Sequence, residues 1–202
     1  MKRKRLPRAL TKSGALDWPG QARRDYAFAK ACVLERGQCA PFFAVHGAKR
    51  SVIVPAFWRN DTDKDDTARV VRLICVAEDA DGLSFITEAW IRRMVRAHNE
   101  SEAEFQARSN AIAPSKAEDR IEVVMANLTY REDDERKWIV LCGEIIRDNA
   151  GKPIRIADLT LDDETGNPGG RMFDILPEER PDPEARALAR ALIDAAEQRE
   201  AS

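Results

Sequence analysis

Two glutamates among apolar residues are the side chains in this sequence whose setting could support acid–base chemistry. Glu88 lies in the apolar segment 83–95, where a period of two places it on one face with Ile86 and Trp90. Glu144 lies in a second such segment. A carboxylate between large apolar groups loses hydration, so its pKa rises unless a cation or an amide donor answers it. Glu88 and Glu144 are therefore candidate catalytic residues; the alternative is a structural pair or a strand end facing water.

Arginines near these segments could form ion pairs with the carboxylates. An enzyme acting on a small molecule or nucleotide would use Glu88 together with such cations. Trp90 and Arg120 are candidate binding residues on the same grounds. The arginines that could pair with the carboxylates are Arg92, Arg93, Arg120 and Arg147.

The two histidines, His46 and His98, belong to no spacing that is typical of metal ligation. His46 is a third catalytic candidate, because Ser-His-Asp and Cys-His arrangements assemble from residues distant in sequence; the alternative is a structural histidine. No acidic run completes a calcium loop, since Asp66 stands where that loop needs glycine. The sequence predicts no metal site and no cofactor.

The loop GNPGGR at 166–171 could present backbone amides and Arg171 to an anion. It matches neither the dinucleotide fingerprint nor the phosphate-binding P-loop. Arg171 is therefore a candidate binding residue, with a plain turn as the alternative.

Charge is distributed unevenly along the chain. Residues 1–12 hold six basic side chains and no acid, whereas the other 190 residues hold 27 basic and 35 acidic groups. We expect residues 1–19 to be a flexible basic arm. One interpretation is weak nucleic-acid binding through phosphates, without sequence preference. A solubilising tail, or an arm docked on the acidic body, are the alternatives. The candidate phosphate-binding residues are Lys2, Arg3, Lys4, Arg5 and Arg8.

Periodicity and turn signals predict the elements that must position these residues. They indicate a single α+β domain over 20–202, with a mainly antiparallel sheet of five to six strands, two to three packing helices and the order α-β-β-α-β-β-β-β-α. Residues 96–119 are polar, with one helical turn near Phe105. One helix is predicted over 21–36, and a second begins with Asp61 or Thr62 as its N-cap. A last helix begins at Asp182-Pro183. Its predicted inner face consists of Ala185, Leu188, Leu192 and Ala195. Strands are predicted at 42–48, 52–58, 83–95, 121–130, 137–148 and 153–162.

The stretch TEAW at 87–90 and the segment PSKAEDRIEVV at 114–124 carry a resemblance. They resemble a pattern in small uncharacterised proteins of bacterial and phage genomes, in which a T/S-E-A-W strand precedes a P-S…D-R-x-E-V segment and a hairpin. The resemblance covers residues 40–175. It implies a bacterial or phage source and a single α+β domain, and it carries over no catalytic residue.

Composition narrows the class of protein. No apolar run approaches the roughly 18 residues that span a bilayer, and no secretory signal opens the chain, so we expect a cytoplasmic protein without membrane contact. Strands such as 121–130 carry apolar residues on both faces, which predicts further cover from a partner subunit. The first hypothesis is therefore a non-enzymatic protein-interaction module that forms a homodimer. An enzyme using Glu88 and non-specific nucleic-acid binding through the arm remain the alternatives.

Overall fold

The computed structural model describes residues 5–6, 16–92, 94, 96–133, 135–160 and 174–201, with the backbone alone at 5–6 and 200–201. The predicted α+β class is confirmed, and the element order agrees with it apart from two short additions, β1 and α3. The helices are α1 Trp18–Arg36, α2 Asp61–Ala77, α3 Glu102–Asn110 and α4 Pro183–Ala201, with a 3-10 turn at Pro114–Lys116. The strands are β1 Arg5–Leu6, β2 Phe42–Gly47, β3 Ser51–Pro55, β4 Ala80–Arg92, β5 Arg120–Glu132, β6 Glu135–Arg147 and β7 Pro153–Leu159.

All described strands join one antiparallel sheet in the order β1-β3-β2-β4-β5-β6-β7. The long strands β4, β5 and β6 form its centre. Register pairs Glu88 with Val124, and Val123 with Glu144. Because side chains alternate across a strand, Glu88 and Glu144 point to opposite faces of the sheet.

The helices lie on both faces of the sheet. Helix α1 packs on β4 to β7, and α2 packs on the other face over β2 and β4, with α4 against α2. Val123 and Val124 face opposite sides and are both fully buried. Both side chains are therefore covered within the chain itself at this point of the sheet. None of the described helices is long and apolar enough to cross a membrane.

Helix α1 begins three residues earlier than predicted. Asp17 caps it by accepting a hydrogen bond from the Gly20 amide at 3.0 Å, and Trp18 is buried against Tyr130 with 5.3 Å between ring centroids. A Cβ at Gly143 would lie 2.2 Å from the Tyr26 hydroxyl, so glycine lets α1 approach β6 closely. The contact between Trp18 and Tyr130 packs the end of the predicted arm, residues 1–19, against the sheet.

Helix α4 turns a different face inward from the one predicted. Ala189 and Ile193 are its buried residues, whereas Leu188 is 64% exposed and Leu192 51% exposed. Two arginines draw α4 into this orientation: Arg190 donates to Glu78 and to the carbonyl of Ala77, and Arg186 pairs with Asp79. The prediction that Ala185, Leu188, Leu192 and Ala195 form the inner face is wrong, because apolar spacing alone does not say whether a stripe faces the core.

Glu78, the residue at which α2 ends, forms ion pairs with two arginines. Arg50 approaches it at 2.5 Å from the β2–β3 turn, and Arg190 at 2.9 Å from α4. Although burial opposes ionisation, hydrogen bonds from these guanidinium groups lower the pKa of Glu78 to about 2. The carboxylate thus ties three elements together.

The predicted turn near Phe105 is a full helix, α3. Ser101 and Glu104 cap each other's backbone amides there. None of its residues is buried, so local capping rather than packing explains it.

Candidate functional site

Glu88 is half-buried on the α1 face of β4. Its carboxylate accepts a hydrogen bond from the Cys39 amide. Of the two partners expected from the sequence, a cation or an amide donor, the structure thus shows the amide donor. Among the described residues no cation lies within 4.0 Å of it; Arg147 instead makes two hydrogen bonds of 2.7 Å to Glu122. Burial is the main cause that raises the pKa of Glu88.

The other strand candidates do not meet Glu88 in one cleft. Glu144 lies on the opposite face of the sheet, so the two carboxylates cannot act on one substrate. Trp90 and Arg120 do contact each other: the guanidinium lies 4.7 Å from the indole centroid and donates to the Ser115 carbonyl at 2.6 Å. This cation–π pair uses Arg120 locally.

His46 is the centre of a buried polar network beneath α1. Its Nδ1 lies 2.9 Å from Ser51 Oγ, and its Nε2 lies 3.0 Å from Asp25 Oδ2. Ser84 donates to Asp25 Oδ2, and Gln21 donates to Asp25 Oδ1 at 2.9 Å. The order Ser51–His46–Asp25 is that of a hydrolase triad, but the three residues are at most 4% exposed. A substrate has no access to them here, and the network satisfies buried polar groups.

Several predicted residues lie outside the described part of the chain. These are Arg171 with its loop, Arg93, and the arm residues Lys2, Arg3, Lys4 and Arg8. The backbone of Arg5 is described, and it pairs with Val52 in the sheet.

Sequence reasoning missed an apolar pocket of about 390 Å³ between the end of α1 and the β2–β3 hairpin. The loop residues 38–41 line one side of it, and this loop has no periodicity that would have indicated a pocket. Phe57, just after β3, forms part of the wall and is 74% exposed. The apolar residues of the lining are Phe28, Ala40, Pro41, Phe42, Ile53, Pro55 and Phe57.

The lining also contains two cysteines, one arginine and the amide side chain of Gln38. Cys32 and Cys39 contribute sulfur to the wall, and burial, more than any neighbour, raises the pKa of Cys39 to about 12. Both cysteines are free. Arg36 makes no hydrogen bond or ion pair within the part of the chain that the structure describes. The pocket is therefore mainly apolar, and the guanidinium beside it has no hydrogen-bond or ion-pair partner among the described residues.

Metal ligation finds no support in the described ranges, where no three His, Cys, Asp or Glu side chains are grouped to hold an ion. Comparison with protein-family models, with curated proteins and with solved structures finds no match to this chain.

Proposed function

We propose that the protein is a non-enzymatic interaction module that forms a homodimer through the outer face of α4. The observation that carries this proposal is the exposure of Leu188 and Leu192, four residues apart on one face of the helix. Together with exposed Ala187, Ala191 and Ala195 they form the outer stripe. A contiguous apolar stripe on a helix surface is typical of an interaction site.

A second copy of α4 is the occupant that the stripe fits. In an antiparallel pair centred between residues 191 and 192, Leu188 of one copy faces Ala195 of the other. Leu192 likewise faces Ala191. Each large side chain then meets a small one, which is how facing helix surfaces interdigitate. The same patch serves both copies, as a two-fold dimer requires.

Charge at the ends of the stripe supports the same arrangement. Glu184 in the first turn and Arg199 in the last lie at equal distances from the centre, so each faces the opposite charge in the antiparallel pair. Both side chains are exposed, and neither makes an ion pair among the described residues. A parallel pair would place like charges together, which is unfavourable.

We also propose that the protein acts in the cytoplasm of a bacterial or phage system. The free state of all four cysteines supports a reducing compartment. The enzyme alternative has less support, because Glu88 is bonded to the backbone of Cys39 and is not among the residues lining the pocket.

Light scattering tests the proposal. At tens of micromolar the native chain should have about twice the monomer mass of 22.7 kDa. The double substitution Leu188→Glu and Leu192→Glu should lower the mass to that of the monomer while the chain stays folded, because both side chains face solvent in the single chain. Ile112→Glu, at an exposed position on another element, is the matched control and should remain dimeric. A native monomer, or a dimer that survives the double substitution, would contradict the proposal.

A further inference from the structure

We propose that the pocket between α1 and the β2–β3 hairpin binds a small organic anion with an apolar body. This site lies on a different part of the molecule from the outer stripe of α4, and the inference stands independently of dimerisation. Its volume of about 390 Å³ is within the range of small-molecule sites, which is roughly 300–1,000 Å³.

The apolar walls of the pocket determine the chemistry of the uncharged part of the ligand. Aromatic rings line it from both sides: Phe28 from α1 and Phe42 from β2, whose centroids are 5.6 Å apart in an edge-to-face contact, and Phe57 from the end of β3. The raised pKa keeps the Cys39 thiol neutral at physiological pH, so it adds apolar surface rather than a nucleophile. An aromatic or aliphatic body would displace water from these walls favourably.

Arg36 determines the charge of the ligand. It is the one charged side chain among the described residues that line the pocket, and its guanidinium has no hydrogen-bond or ion-pair partner there. Other surface arginines of the fold, such as Arg92 and Arg108, are occupied by carboxylates. A guanidinium binds carboxylate and sulfonate oxygens through paired N–H donors. The Gln38 amide, also in the lining, can donate to the same group.

Glu88 does not counter this charge from within the pocket. Its carboxylate accepts the Cys39 amide hydrogen bond, which places it behind the wall rather than in the lining. Among the described residues that line the cavity, Arg36 thus supplies the one charged group, and an anion is its complementary partner.

A matched pair of fluorescent probes tests both parts of the inference. The anion 8-anilinonaphthalene-1-sulfonate and the neutral N-phenyl-1-naphthylamine share the same rings and differ by the sulfonate. The native protein should bind about one molecule of either probe. Arg36→Gln should weaken binding of the sulfonate about tenfold and leave that of the neutral probe unchanged. Arg23→Gln, on the exposed side of the same helix, is the control and should change neither.

A second substitution tests whether the probes occupy this pocket. Ala40 is exposed and lines the pocket, so Ala40→Trp fills the cavity without disturbing the core and should abolish binding of both probes. Probe binding that survives Ala40→Trp would overturn the site. An equal response of the two probes to Arg36→Gln would overturn the anionic class of the ligand. Neither result bears on the dimer, whose mass is measured separately.

Discussion

Helices α1 and α4 have the same length, 19 residues, but they relate to the sheet in opposite ways. Helix α1 buries polar side chains, Gln21 and Asp25, together with Trp18 and Tyr26. Helix α4 buries few side chains and leaves Leu188 and Leu192 in solvent. A buried polar group must be bonded within the fold, whereas an exposed apolar stripe remains available to another molecule. The contrast indicates that the buried face of α1 stabilises the fold, and it is the basis of the proposed interaction role of α4.

The largest expected effect lies under α1. Asp25→Ala removes the acceptor shared by His46, Ser84 and Gln21, so these buried polar groups each lose a hydrogen bond that water cannot replace. We expect a loss of about 3 kcal/mol in the free energy of unfolding, measured by urea denaturation. Glu35→Ala, at an exposed position of the same helix, should change stability by less than about 0.5 kcal/mol. A small loss for Asp25→Ala would show that the network is not structural.

The ion pairs of Glu78, which hold α4 against the end of α2, should have a smaller effect on stability. Glu78→Gln weakens the contacts to Arg50 and Arg190, and we expect the free energy of unfolding to fall by about 2 kcal/mol at pH 7. The loss is smaller than for a fully buried ion pair, because both arginines are partly exposed. Since the pKa of Glu78 is lowered to about 2, its stabilisation is present above the ordinary glutamate pKa. It is lost as the pH falls from about 4.5 towards 2. Urea denaturation of both proteins at pH 7 and pH 3 should therefore give a difference that shrinks at pH 3; a constant difference would contradict this.

Glu88 should show the smallest effect, with the opposite sign. Glu88→Gln retains an oxygen that can accept the Cys39 amide hydrogen bond and removes a charge that burial disfavours. We expect a change between zero and about 1 kcal/mol of stabilisation at pH 7. Because the pKa of Glu88 is raised, the native protein loses stability as the pH rises through it, and the variant should lack this dependence. Thermal unfolding at pH 4.5 and pH 7 checks both points, and destabilisation above about 1 kcal/mol would indicate a structural charge instead.

The fold was predictable to the extent that local signals coincide with packing. Alternation placed the sheet strands, and Asn149-Ala150-Gly151 marked the turn before β7. The N-cap of α2 is Asn60 rather than Asp61 or Thr62, because the preference for short polar side chains does not separate adjacent candidates. Alternation also placed Glu88 beside Trp90, but strand register, which local sequence does not determine, separates Glu88 from Glu144.

The rest depended on tertiary contacts. The stripe of α4 has the spacing of a core face, and only the arginine contacts to Glu78 and Asp79 show which face turns inward. The pocket is lined in part by a loop without periodicity, and Arg36 is notable only because it has no hydrogen-bond or ion-pair partner among the described residues. Such features follow from the packing of elements far apart in the chain.

The most direct test of the account is a charge exchange at the ends of the α4 stripe, followed by sedimentation at low salt. Glu184→Arg alone should weaken the homodimer, because it places two arginines together at each end of the antiparallel pair. Combining Glu184→Arg with Arg199→Glu restores opposite charges, and the double variant should regain the native dissociation constant. Dissociation constants that are equal for the native protein and both variants, or a double variant weaker than the single one, would contradict dimerisation through α4.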